Sequence, residues 1–170
     1  MSVVVGNVEF HAGPHDVGGP DDLERLIVDF IDGAQKRLEI AVQELESLPI
    51  AEAIVRARRR RVLVKLVVEH DYLRSRRMRA DPWEPLGSNE PNRAILAAVL
   101  RSNIDIKSDY NTRIFHQKFI IRDRESVLTG STNFTPSGTH ENLNHVVIVH
   151  DEDVARVYAR EYREIQRGHF

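Results

Sequence analysis

The feature that most constrains this chain is the run Val62-Leu63-Val64-Lys65-Leu66-Val67-Val68, seven residues with a single polar interruption. A β-branched run of this kind reads as a strand buried on both faces of a sheet, and such a strand needs helices on each side. Helical patterns stand where that demands. Asp21 and Asp22 open one with Leu23, Leu26, Ile27, Phe30 and Ile31 on its apolar face, ending near Gly33. Pro49, at a first-turn position, starts a second that runs through Arg60. A third spans Asn92–Arg101, and a last one runs from about Asp151 to about Gln166. Further strands are expected at Val3–Phe10, Arg37–Val42, Ile104–Lys107, Ile114–Arg122, Val127–Thr129 and His145–Val149. His11–Pro20 and His70–Pro91 read as loops, rich in Gly and Pro. The expected fold class is α/β, a mixed β-sheet sandwiched between helices. Residues 1–170 are read as a single domain, either whole or as one part of a longer protein.

Composition removes several functional classes. There are no cysteines, so disulfides and thiolate metal sites are excluded. No apolar run approaches the roughly 20 residues of a membrane span. The opening Met1-Ser2-Val3-Val4-Val5-Gly6 has no charged leader, so a cytoplasmic location is the default expectation. The net charge of −2 neither favours nor excludes a polyanionic partner. Arginine nevertheless supplies 20 of the 24 basic side chains, with clusters at Arg56, Arg58, Arg59, Arg60 and Arg61 and at Arg74, Arg76, Arg77 and Arg79. Its planar fork suits phosphate, although a solvated helix end explains the first cluster equally well.

Chemistry concentrates in Phe115-His116-Gln117-Lys118-Phe119-Ile120-Ile121-Arg122-Asp123 and Leu128-Thr129-Gly130-Ser131-Thr132-Asn133-Phe134. His116 and Lys118 are two apart on an expected strand, so they share a face within an otherwise apolar run. A buried ammonium is costly unless an anion compensates it, and a phosphate would serve. Ser131 offers a hydroxyl, Asn133 an amide donor, and the Gly130 turn its backbone N–H groups. Taken singly, a histidine on a strand is a core histidine and Ser-Thr-Asn after Gly is a turn. Together they are one nucleophile, one fixed cation and several neutral donors, the parts for displacement at phosphorus without a metal. His11 and His15 are separated by Gly13-Pro14 and cannot form a helical ligand pair, and Lys118 would repel a cation beside His116. Neither metal nor cofactor is expected.

The order His116-x-Lys118, Asp123, Gly130-Ser131-x-Asn133 resembles the HxK(x)4D(x)6GSxN signature of the phospholipase D superfamily over residues 113–149. The resemblance implies that His116 attacks phosphorus to give a phosphohistidine. Lys118 and Asn133 would hold the nonbridging oxygens with help from Ser131, and Asp123 would be structural. It also implies two histidines, the second protonating the leaving oxygen and then activating water. No other histidine in this chain has a lysine two positions later. The second motif is therefore expected from a homodimer partner, as in the small single-motif bacterial endonucleases of the superfamily, or from another domain. Many members carry a glutamate before the last core strand, where this chain reads His140-Glu141-Asn142-Leu143-Asn144. Leu143 occupies the usual place of the acid, and Glu141 is the nearest substitute, with Asn142 and Asn144 as amide alternatives.

The leading expectation is a metal-independent nuclease, with DNA favoured over RNA. Arg74, Arg76 and Arg77 would contact phosphates from the His70–Pro91 segment, where Trp83 is expected to anchor the loop, with base stacking as its alternative. A phospholipase D-type lipid hydrolase and a catalytically silent nucleic-acid-binding module are the competing readings.

Overall fold

The computed structural model describes residues 3–73, 81, 83, 89–109 and 113–168. Its strands are β1 (Val3–Val5), β2 (Val8–Gly13), β3 (Arg37–Val42), β4 (Leu63–Glu69), β5 (Asp105–Asp109), β6 (Lys118–Arg122), β7 (Ser126–Gly130) and β8 (Asn144–Val149). Its α-helices are α1 (Leu23–Asp32), α2 (Leu48–Arg59), α3 (Glu90–Arg101) and α4 (Glu152–Gln166). One eight-stranded sheet runs β1-β2-β8-β7-β6-β3-β4-β5. The pairs β3·β4 and β4·β5 are parallel and the remaining pairs antiparallel, so the sheet is mixed.

Strand alternation divides the interior into two layers. Leu38, Ile40, Val42, Val64, Leu66, Val68 and Ile120 face α1, α2 and α3, where they meet Ile27, Phe30, Ile54 and Val99. Ala41, Val67, Phe119, Ile121 and Val127 face the other way, against Ala155, Ala159, Tyr162 and Ile165 of α4. The apolar run becomes β4, flanked by β3 and β5, with Val64, Leu66 and Val68 in one layer and Val67 in the other, while Leu63 at its start is exposed. Helix starts are chemically marked: Asp22 caps Arg25 N (2.9 Å), Ser47 caps Ile50 N (3.2 Å), and Asp151 caps Asp153 N and Val154 N. No described helix is long and apolar enough to cross a membrane.

Three expectations need correction. The stretch Val3–Phe10 is a hairpin, because Gly6 takes a positive φ of 59° and turns the chain. His11 and Ala12, expected in a loop, continue β2 and pair with Val146 and His145 of β8. The strand expected from Ile114 begins only at Lys118, because its partner β3 ends at Val42, the residue opposite Lys118. His116 therefore stands just beyond the ladder.

Register gathers the functional segments at one end of the sheet. β6 starts where β3 ends, β7 returns beside it with Thr129 opposite Phe119, and β8 sets Val146, near its start, opposite Gly130. The Arg56–Arg61 cluster lies at the other end, where α2 finishes before β4. There Arg56 and Arg60 pair with Asp32 (2.7 and 3.2 Å) and Arg58 donates to Asn103 O (3.2 Å). Two of those arginines thus brace α1 against α2. Of the second cluster, Arg74, Arg76, Arg77 and Arg79 lie outside the described residues. Trp83 is 90% exposed, so it does not anchor the loop to the core.

Candidate active site

Lys118 is the first residue of β6 and only 8% exposed. Its Nζ donates to Gln43 Oε1 (3.1 Å) and to the carbonyl of His116 (3.3 Å), both neutral acceptors. Burial draws its pKa below the ordinary lysine value, opposed in part by the charge of Glu44. Among the described residues no carboxylate lies within ion-pair distance of it. In the segment after Gln43, the Glu46 carboxyl is held above the ordinary range by burial first and by Glu44 second.

His116 is exposed, and its ring has no hydrogen-bond partner among the described residues. The chain around it is pinned from both sides. Gln117 O accepts from Gln43 N (3.0 Å), and the N–H of buried Phe115 donates to the carboxylate of Glu69, itself buried at the end of β4. A free imidazole on a fixed backbone is what a nucleophile needs.

The Gly130–Asn133 loop is shaped by close approach to β8. A Cβ on Gly130 would meet His145 O at 2.2 Å, so only glycine fits. Ser131 N donates to His145 O (3.2 Å) and His145 N to Ser131 Oγ (3.1 Å), while Ser131 Oγ donates to Asn144 Oδ1 (2.8 Å). The next turn is clamped too: Phe134 O accepts from Glu46 N (2.8 Å) and Ser47 N (2.9 Å). Between these ties Asn133 is half-buried, and its Oδ1 is shielded from water with no partner. After the loop comes a π-helical turn, Ser137–Glu141, an uncommon geometry frequent at functional sites.

Asp123 belongs to the opposite end of β6, five residues and roughly 16 Å from Lys118 along an extended strand. Its carboxylate accepts from Gln35 N (2.9 Å), Lys36 N (2.7 Å) and Arg37 N (2.7 Å). Burial alone would raise its pKa; those three donors, with Arg122, outweigh burial and hold it below the ordinary value. Its geometry is that of a clamp on the entrance to β3. Glu141 is exposed at the end of the π turn, and Leu143 points into solvent; neither has a hydrogen-bond or ion-pair partner among the described residues.

The fold also brings in residues that the sequence reading missed. Gln43, just past β3, bonds Lys118, and Tyr72, in the turn after β4, bonds Gln43; these contacts join segments far apart in the chain, for which no local pattern exists. His145 is adjacent to Ser131, with Nδ1 3.1 Å from Ser131 Oγ and its ring stacked on half-exposed Phe10 (centroids 5.8 Å apart). Among the described residues, the one grouping with metal-ligand spacing is Glu69, His70 and Asp71, and Glu69 is already engaged by the N–H groups of Asp71 and Phe115.

Residues 27–166 match the family described as cardiolipin synthase, PLD-like domain. The chain belongs to that family. It is 29% identical over 142 residues to a mitochondrial cardiolipin hydrolase of Xenopus laevis, covering 83% of this chain and 59% of that protein. With a phospholipase D of Rickettsia felis it shares 26% over 143 residues, covering 84% and 64% respectively. The chain thus spans about three fifths of the length of these curated relatives. Among solved structures, Nuc of Salmonella typhimurium, a phospholipase D family member, superposes with a TM-score of 0.74 at 25% identity. That match covers 92% of this chain and 91% of Nuc. The α/β sandwich is the PLD-like fold of that family.

Proposed function

We propose that this PLD-like domain is a metal-independent nuclease that cleaves phosphodiesters through a phosphohistidine on His116, with two copies of the chain completing one site. The observation that carries the reading is the buried Lys118 ammonium, held among the described residues by neutral oxygens alone, beside an exposed imidazole with no partner among them. An anion is the missing partner of the first, and phosphorus the fitting electrophile for the second. Asn133 supplies a second donor to the nonbridging oxygens and Ser131 a hydroxyl. One chain carries one such motif, and a second histidine is needed to protonate the leaving oxygen. A second copy of the motif, on a two-fold partner, supplies it. For the substrate, the open Phe10–His145 stack beside Ser131 offers a surface on which a base can lie.

A second reading, a lipid phosphodiester, has specific support in the relatives named cardiolipin hydrolase and phospholipase D. One experiment separates the two. Single- and double-stranded DNA and RNA, and vesicles of cardiolipin or phosphatidylcholine, are incubated with the protein in excess EDTA, with His116→Ala alongside. Cleavage of nucleic acid alone, lost in the variant, supports the nuclease; cleavage of vesicle lipid alone replaces it with the lipase. Binding of nucleic acid without cleavage of either would point to a silent binding module. Mixing equal amounts of wild type and His116→Ala tests the shared site: random pairing leaves about a quarter of the activity rather than half.

A further inference from the structure

The phosphate-binding lysine does not aim itself. Its stem leaves β6 into the space beyond β3, where the ammonium must be held against four flexible carbons. Gln43, one residue past the end of β3 and buried, provides the hold: its Oε1 accepts from Lys118 Nζ at 3.1 Å. The orientation of that amide is determined, because Nε2 donates to Tyr72 Oη (3.0 Å) and Glu44 Oε1 (3.3 Å). A flipped amide would set its NH2 against the ammonium and its oxygen against Glu44. Tyr72 is a firm anchor, since burial and its contact with Glu44 hold the phenol protonated, pushed up to about 12. The backbone of Gln43 adds a second tie by donating to Gln117 O between His116 and Lys118.

Two features make this arrangement suited to an anion. An ammonium has three donors, and two acceptors are accounted for, Gln43 Oε1 and His116 O. Both acceptors are uncharged, so the positive charge left for the ligand is offset only by Glu44, which is not bonded to the ammonium among the described residues. A glutamate at position 43 would fill the same space and cancel it.

We propose that Gln43 is a positioning residue for Lys118: it fixes the direction of the ammonium and, by being neutral, leaves the charge available to a substrate phosphate. The proposal rests on the phosphodiesterase reading of the site, and its test keeps the two apart. Gln43→Glu and Gln43→Met are compared with wild type in the full chain, with hydrolysis followed against pH on a DNA oligonucleotide and on bis(p-nitrophenyl) phosphate. In parallel, the Lys118 side chain is titrated by carbon NMR at Cε, which needs no turnover. Gln43→Glu creates an ion pair: the Lys118 pKa rises and kcat/KM falls by about tenfold to a hundredfold, mainly through KM. Gln43→Met removes an acceptor of the charged form: the Lys118 pKa falls, and the alkaline limb of the pH profile moves down with it. A residue that merely fills space would not move the lysine in opposite directions in the two variants. Unchanged Lys118 titration in both variants, with both folded by circular dichroism, overturns the proposal. If the wild type cleaves no phosphodiester, the activity reading fails, and the Lys118 titration alone decides on Gln43.

Discussion

The two ends of β6 carry parts of one sequence motif, yet their polar groups are treated in opposite ways. At the Asp123 end every carboxylate oxygen is used, with three backbone N–H groups of Gln35, Lys36 and Arg37 converging on it. At the Lys118 end the bonds are incomplete: the His116 ring has no described partner, the lysine is held by neutral oxygens, and a buried Asn133 Oδ1 has none. A folded chain does not leave buried polar atoms unsatisfied without cost. The completed end is tied into the fold; under the proposed function the incomplete end leaves the His116 ring and the Lys118 charge to a ligand. The resemblance implies a structural Asp123, and its three backbone donors supply a physical reason for that reading.

The sharpest way to break this contrast is to truncate each end. His116→Ala is expected to lower phosphodiester hydrolysis by at least about a thousandfold, while its unfolding midpoint in urea stays within experimental error of wild type. Asp123→Ala should do the reverse, losing about 2–3 kcal/mol of stability as three N–H groups forfeit their acceptor, with activity surviving at temperatures where the variant is folded. A folded, stable and inactive Asp123→Ala would place Asp123 in the chemistry and dissolve the comparison. The acid limb of stability reads the same clamp. The folded-state pKa of Asp123 lies below its ordinary value of 3.8, so its contribution is complete above that value and is lost as pH falls through the depressed one. Asp123→Asn should flatten that part of the wild-type stability profile below about pH 4.

Asn133→Ala sharpens the contrast from the other side. It removes a buried acceptor that has no partner, so stability should hold or rise by up to about 1 kcal/mol. Activity should fall by about a hundredfold as a donor to the phosphate is lost. A clear loss of stability in urea would mean that Asn133 has a structural partner after all and belongs with Asp123.

What the sequence disclosed follows the reach of each signal. The sheet and its two covered faces were legible from the Val62–Val68 run and the periodicity of four helices, because burial repeats locally. The motif was legible because its spacing reflects one hairpin, β6 and β7, joined by a tight turn. Where β6 begins was not legible: Ile114–Gln117 has strand composition, but pairing stops when β3 runs out at Val42, 76 positions before Lys118 in the chain. Gln43 was invisible for the same reason, since its contact with Lys118 spans 75 positions. The first hairpin was misread because Gly6-Asn7 interrupts a valine-rich stretch too briefly to break its apolar character. The Trp83 expectation failed because an aromatic ring in a loop carries no information about which side it faces.

The smallest effect concerns the turn that follows the incomplete end. His140, in the π-helical turn after Asn133, has Nδ1 2.6 Å from Asp16 Oδ2 and Nε2 3.3 Å from Glu24 Oε2, tying that turn to α1 and the segment before it. The hydrogen bond to Asp16 raises its pKa above 6.5, burial opposes this, and Glu24 adds to the rise. A raised folded-state pKa stabilises the protein fully below the unfolded value of 6.5, and that contribution is lost as pH climbs through the folded value. The ring is partly open to solvent, so screening reduces the effect to about 0.5 kcal/mol. Stability measured by urea unfolding should therefore decline slightly above pH 6.5 in wild type and not in His140→Gln. Because this turn packs behind Asn133, the variant should also shift the KM for a phosphodiester more than kcat, and mainly below pH 6.5, where the wild-type ion pairs are intact. An identical stability profile in the two proteins would show the π turn to be held by its uncharged bonds, among them Gly138 N to Thr135 Oγ1 and Asn144 Nδ2 to Gly138 O.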